Sequence, residues 1–112
     1  MAIKEYYDTQ KMYQEQMEEE LIRVQAFLED MGIRDCGRVD YAYCKRYIKV
    51  ETPGTYRNYP TYFAVPQDKD MEAVVRWLIK ETMFRWPTVF IEGRTATTLS
   101  SELDIKHYFK EV

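Results

Sequence analysis

The chain has little of what most catalytic sites are built from. Its 112 residues include one histidine, two cysteines and four scattered glycines. One histidine and two cysteines do not make up a usual zinc site. No D-x-D-x-D-G calcium loop is present, and no glycine-rich loop offers its backbone to a phosphate. Cys36 and Cys44 have seven residues between them, which is not the C-x-x-C spacing of redox or zinc motifs. No apolar run is long enough to cross a bilayer, and no secretory h-region precedes the cysteines. The expectation is a cytoplasmic protein with reduced thiols and no membrane partner. Repeats, linkers and low-complexity segments are also missing, which predicts a single domain over residues 1–112. Together these absences point away from an enzyme and from any bound metal or cofactor. His107 reads as a solvated helix residue, and Glu18, Glu19 and Glu20 as a solvated face rather than an acid–base pair.

What the chain does have is apolar residues at 46%, enough for a core at this length, and a high aromatic share of 15%, mostly tyrosine. The formal charge is −3, which argues against coating duplex DNA with the whole surface. The charge is unevenly spread. Residues 1–31 hold three basic and eight acidic groups, and residues 32–66 hold six basic and three acidic ones. An acidic front therefore precedes a basic middle.

Periodicity orders the elements. Tyr13, Met17, Leu21, Val24, Leu28 and Met31 recur at steps of four and three, predicting a helix over 5–31 that Gly32 terminates. The stripe has coiled-coil spacing. It needs a partner, which is the chain's own sheet or, as an alternative, a second copy in a homodimer. Residues 38–51 read as a strand with Tyr41, Tyr43 and Tyr47 on one face and Ala42, Cys44, Ile48 and Val50 on the other; a helix is the rival. "TPGT" at 52–55 is a turn, and a second strand over about 60–65 completes a hairpin, its Pro60 favouring an edge. Asp68 is the expected N-cap of a helix over about 69–85 that buries Met71, Val74, Val75, Leu78, Ile79 and Met83 and ends before Pro87. "TVFIE" predicts a central strand, "TATTL" an antiparallel return, and Ser100 or Ser101 a cap for a last helix. Trp77 or Trp86, with Phe90, is expected in or beside the core. The fold class is α+β, in the order α-β-β-α-β-β-α, with the long N-terminal helix packed on an antiparallel-containing sheet.

"WPTVFIEGRTATTL", followed by a short helix, resembles the second half of a thioredoxin or glutaredoxin domain. The resemblance covers about 26 residues. It implies that Pro87 is the family's cis proline, which faces the active-site cysteines. The family's C-x-x-C or C-x-x-S is not present, so the resemblance implies a divergent thioredoxin-like domain without its redox motif.

Two surfaces are candidates for binding. On the stretch 34–62, Tyr41, Tyr43, Tyr47, Tyr56 and Tyr59 interleave with basic residues that include Arg46 and Arg57. Rings and cations on a sheet suit protein anchoring, or stacking and phosphate contact in a single-stranded nucleic acid module. On the first helix, Glu15, Glu18 and Glu19 belong to an acidic field suited to a basic protein groove. The leading expectation is a small non-enzymatic binding or regulatory protein, an inhibitor of a protein partner of the kind phages and mobile elements use. The alternative is nucleic acid binding through residues 34–62.

Overall fold

The computed structural model describes residues 3–36, 44–52 and 59–110. Helix α1 spans Ile3–Asp30. It is followed by β1 (Arg34–Asp35), β2 (Arg46–Thr52), β3 (Tyr59–Ala64), helix α2 (Met71–Glu81), β4 (Thr88–Ile91), β5 (Thr97–Thr98) and helix α3 (Glu102–Lys110). The α+β class and the order α-β-β-α-β-β-α hold, with β1 as an addition too short to leave a periodic signal. The strands form one sheet in the order β1-β3-β2-β4-β5, every neighbouring pair antiparallel.

Helix α1 ends as its sequence dictates. Gly32 takes φ +82°, and Ile33 N–H donates to the Leu28 carbonyl at 2.9 Å, closing the last turn. From Met17 onward the predicted stripe meets the chain's own sheet. Met17, Val24 and Leu28 are buried with Ile48 and Val50 of β2 and Phe63 of β3, while Leu21 and Met31 pack at the edge of this core. Phe27 stacks on Trp77 of α2 with centroids 4.1 Å apart, and Arg23 lies over the same indole at 5.7 Å.

The second helix differs from expectation at both ends. Asp70, not Asp68, is the N-cap, accepting from Ala73 N–H at 3.0 Å. A turn closed by Lys69 N–H to the Pro66 carbonyl occupies the preceding residues. The C-terminus comes at Glu81, ahead of the break Pro87 would impose. Thr82 ends it: its hydroxyl donates to the Leu78 carbonyl at 2.6 Å and accepts from Phe84 N–H at 3.0 Å, turning the chain to extended geometry. Met83 consequently faces outward and Phe84 takes the buried place. In α3, Ser101 Oγ accepts from Asp104 N–H at 3.2 Å, and the Asp104 carboxylate accepts from Ser100 at 3.0 Å.

All three helices contribute to the core on one face of the sheet: Met71, Val74, Val75 and Leu78 from α2, and Ile105 and Tyr108 from α3, join the α1 residues there. Among the described residues no helix covers the other face. Strand β4 is an inner strand as expected, but the middle place belongs to β2, and only Val89 of β4 is fully buried. Residues 46–50 are strand, which removes the helical rival there. The TPGT turn lies largely outside the described residues, though Arg46–Thr52 and Tyr59–Ala64 pair as the two arms of the expected hairpin. Pro60 sits where β1 does not reach, since β1 pairs only with Phe63 and Ala64.

Candidate binding surfaces

Strand alternation sorts the side chains of the sheet. Ile48 lies opposite both Phe63 and Val89, all buried on the helix side. One residue away, Tyr47 lies opposite Ala64 and Phe90, and Lys49 lies opposite Tyr62 and Thr88. These residues share the face opposite the helices. Tyr47 stacks on Phe90 with centroids 5.0 Å apart and meets Tyr62 edge-on at 5.4 Å. The cluster is half-buried. Arg34, opposite Ala64, belongs to the same face, as does Lys49, whose ammonium is 3.3 Å from Glu51.

The sequence-predicted residues divide among three places. Tyr47 is in this cluster. Tyr59 has the parity of Thr61 and Phe63 and points to the helix side, half-buried. Arg46 is held by the turn before α2: its guanidinium donates to the carbonyls of Val65 at 3.3 Å, Lys69 at 2.8 Å and Pro66. Tyr41, Tyr43, Tyr56 and Arg57 lie outside the described residues. Glu15, Glu18 and Glu19 are exposed on α1, which packs against the opposite side of the sheet from Tyr47. The acidic helix and the tyrosine cluster therefore do not form one continuous patch.

A second surface was not anticipated from the sequence. Where α2 ends early, residues 83–87 run alongside α1 and border a groove of about 270 Å³ lined by Tyr13, Met17, Val50, Met83, Trp86 and Pro87 among others. Trp86 is 69% exposed, Tyr13 49% and Met83 36%; Met12, close by on α1, is 60% exposed. An indole placed in water beside a phenol and a thioether is the composition of interface anchors. The partial signal in the sequence is "TMFRW", where a threonine able to cap the helix precedes Met83; Trp86 is not found by alternation, since it has the parity of buried Phe84 yet is exposed.

Pro87 precedes β4, and two strands, β3 and β2, separate β4 from β1, which Cys36 follows. Cys36 follows β1, with its N–H donating to the Tyr62 carbonyl at 2.9 Å, and Cys44 precedes β2. Unbroken strand alternation would put Cys44 on the core face with Ile48. A bend at Lys45 breaks that parity, and both cysteines are half-buried. Burial, with the hydrogen bond between the two thiols and the charge of Cys44, pushes the Cys36 thiol up to about 12. No peptide bond among the described residues is cis, so Pro87 does not have the geometry that the thioredoxin resemblance implied. Among the described residues no cluster of three or more His, Cys, Asp or Glu side chains is arranged to hold a metal. None of their helices is long and apolar enough to cross a membrane. Comparison with protein-family models, with curated proteins and with solved structures returns no match.

Proposed function

We propose that the chain is a small binding protein that regulates, as an inhibitor, a basic protein partner in the cytoplasm, acting by contact rather than by catalysis. The observation that carries this reading is the groove between α1 and residues 83–87. It offers Trp86, Tyr13 and Met83 to a partner at the flank of a helix whose exposed residues include Glu15, Glu18 and Glu19. The apolar anchors would supply affinity once water is excluded, and the carboxylates would steer a basic surface toward them. A cytoplasmic setting is supported by a core of Val, Leu, Ile, Met and Phe side chains that needs no disulfide to close it.

The experiment is affinity capture from the native host with and without nuclease, followed by titration of the captured protein against Trp86→Ala and Tyr13→Ala. Capture should survive nuclease. Trp86→Ala should weaken binding by about 2 kcal/mol, roughly thirtyfold, at an unchanged melting temperature. A captured protein that binds both variants as tightly as the wild type removes the groove from consideration.

A second reading is favoured by a different observation. Tyr47, Tyr62 and Phe90 form a contiguous ring cluster on the sheet face opposite the helices, flanked by Arg34 and Lys49. Rings for stacked bases and cations for phosphates suit single-stranded nucleic acid. Under that reading capture fails after nuclease, and oligonucleotide binding weakens steeply as salt rises.

A further inference from the structure

The two cysteines, unremarkable by spacing, are brought together by topology. Strands β1 and β2 both run antiparallel to β3, one on each side of it, so they are parallel to each other and joined by a crossover. Cys36 and Cys44 stand at the two ends of that crossover. Their sulfurs are 3.5 Å apart, and Cys36 Sγ is also 3.5 Å from the Tyr62 carbonyl. A disulfide bond is about 2.05 Å long, so bonding needs the sulfurs to approach by roughly 1.5 Å.

We propose that Cys36 and Cys44 form a reversible dithiol–disulfide couple, oxidised by a small-molecule disulfide of the glutathione class. One cysteine, as thiolate, attacks a sulfur of the oxidant. A mixed disulfide forms, and one equivalent of the small thiol leaves. The other cysteine, as thiolate, then attacks the protein sulfur of the mixed disulfide and displaces the second equivalent. The protein pair loses two electrons and two protons. One disulfide is consumed for the one that forms, and two small thiols carry the electrons and protons away. Reversal needs only an excess of the same thiol. The bond would close a ring over residues 36–44, the segment that contains Tyr41 and Tyr43. The inference does not depend on which partner the protein binds.

The test equilibrates the full chain in reduced and oxidised glutathione at graded ratios. Acid quenching, alkylation and intact-mass analysis follow, with peptide mapping of the bond. The expected product has lost two hydrogen atoms, remains monomeric, and maps to Cys36 linked to Cys44. Cys36→Ser and Cys44→Ser should each stop at one mixed disulfide. A second measurement uses phenylarsine oxide, which joins two thiols through one arsenic with loss of water. The wild type should take up one equivalent that survives excess monothiol, and either single variant should release it. Two mixed disulfides on one chain, a disulfide between two chains, or unchanged thiols at oxidising ratios would each overturn the proposal.

Discussion

At the scale of the residue, exposure separates side chains that hold the fold from those available to something else. Phe63 is fully buried among β2, β3 and the helices, whereas Tyr47 is half-buried between Tyr62 and Phe90 on the face opposite the helices. Phe63→Ala should cost about 3–5 kcal/mol of stability. Tyr47→Ala should cost less, about 1–2 kcal/mol, a sum that includes its ring contacts with Tyr62 and Phe90. Denaturant titration of both variants decides the point, and equal losses would make the tyrosine face a second core. The sequence carried the alternation that assigns Ile48 and Val50 to one side and Tyr47 to the other. It did not carry Tyr59's direction, because that depends on the pairing of Thr52 with Tyr59 across the turn, which composition does not set. Arg46 was legible as a cation but not as the donor to three carbonyls, a role that exists only once the turn after β3 folds back beside it.

At the scale of the element, the end of α2 creates the groove. Thr82 is buried, and its hydroxyl joins the Leu78 carbonyl to Phe84 N–H. Thr82→Val keeps the shape but leaves a buried N–H without its acceptor, for an expected loss of about 1–3 kcal/mol. Thr82→Ser should recover most of it. Amide hydrogen exchange over residues 82–86 should rise in the valine variant, and exchange unchanged from wild type would show that the cap does not hold the segment. The sequence placed this helix correctly in existence and inward face through Met71, Val74, Val75 and Leu78. Its end was misread because Pro87 is a strong stop signal and Thr82 a weak one, and the weaker signal came first along the chain.

At the scale of the whole molecule, the uneven charge read from the sequence becomes a geometric separation. Glu15, Glu18 and Glu19 are exposed on α1, and Arg34 and Lys49 lie across the sheet from that helix. Reversing Glu15, Glu18 and Glu19 to lysine should slow association with a basic partner roughly tenfold or more at low salt. Stopped-flow rates for wild type and variant should converge as ionic strength rises. A rate difference that persists at high salt would mean direct contacts rather than steering. The fold class and the order of major elements were legible because apolar spacing changes from helical to alternating and back. The groove was not, since it joins α1 to residues 83–87, far apart in sequence; the cysteines are eight positions apart, but their meeting depends on β1 and β2 pairing on either side of β3, which spacing alone does not show.

Pro60 gives the sheet a defence against self-association. Outward of β3, β1 covers only Phe63 and Ala64, and among the described residues no strand pairs with Tyr59–Thr61 on that side. An uncovered strand edge rich in aromatic and β-branched residues is a template on which another chain can add a strand, and repeated addition builds a fibril. A proline there offers no amide hydrogen to an incoming strand and interrupts the ladder at its first rung. Pro60→Thr should leave the monomer's circular dichroism unchanged but shorten the lag before thioflavin-positive aggregates appear on prolonged incubation. An unaltered lag would show that this edge is not where the chain is vulnerable.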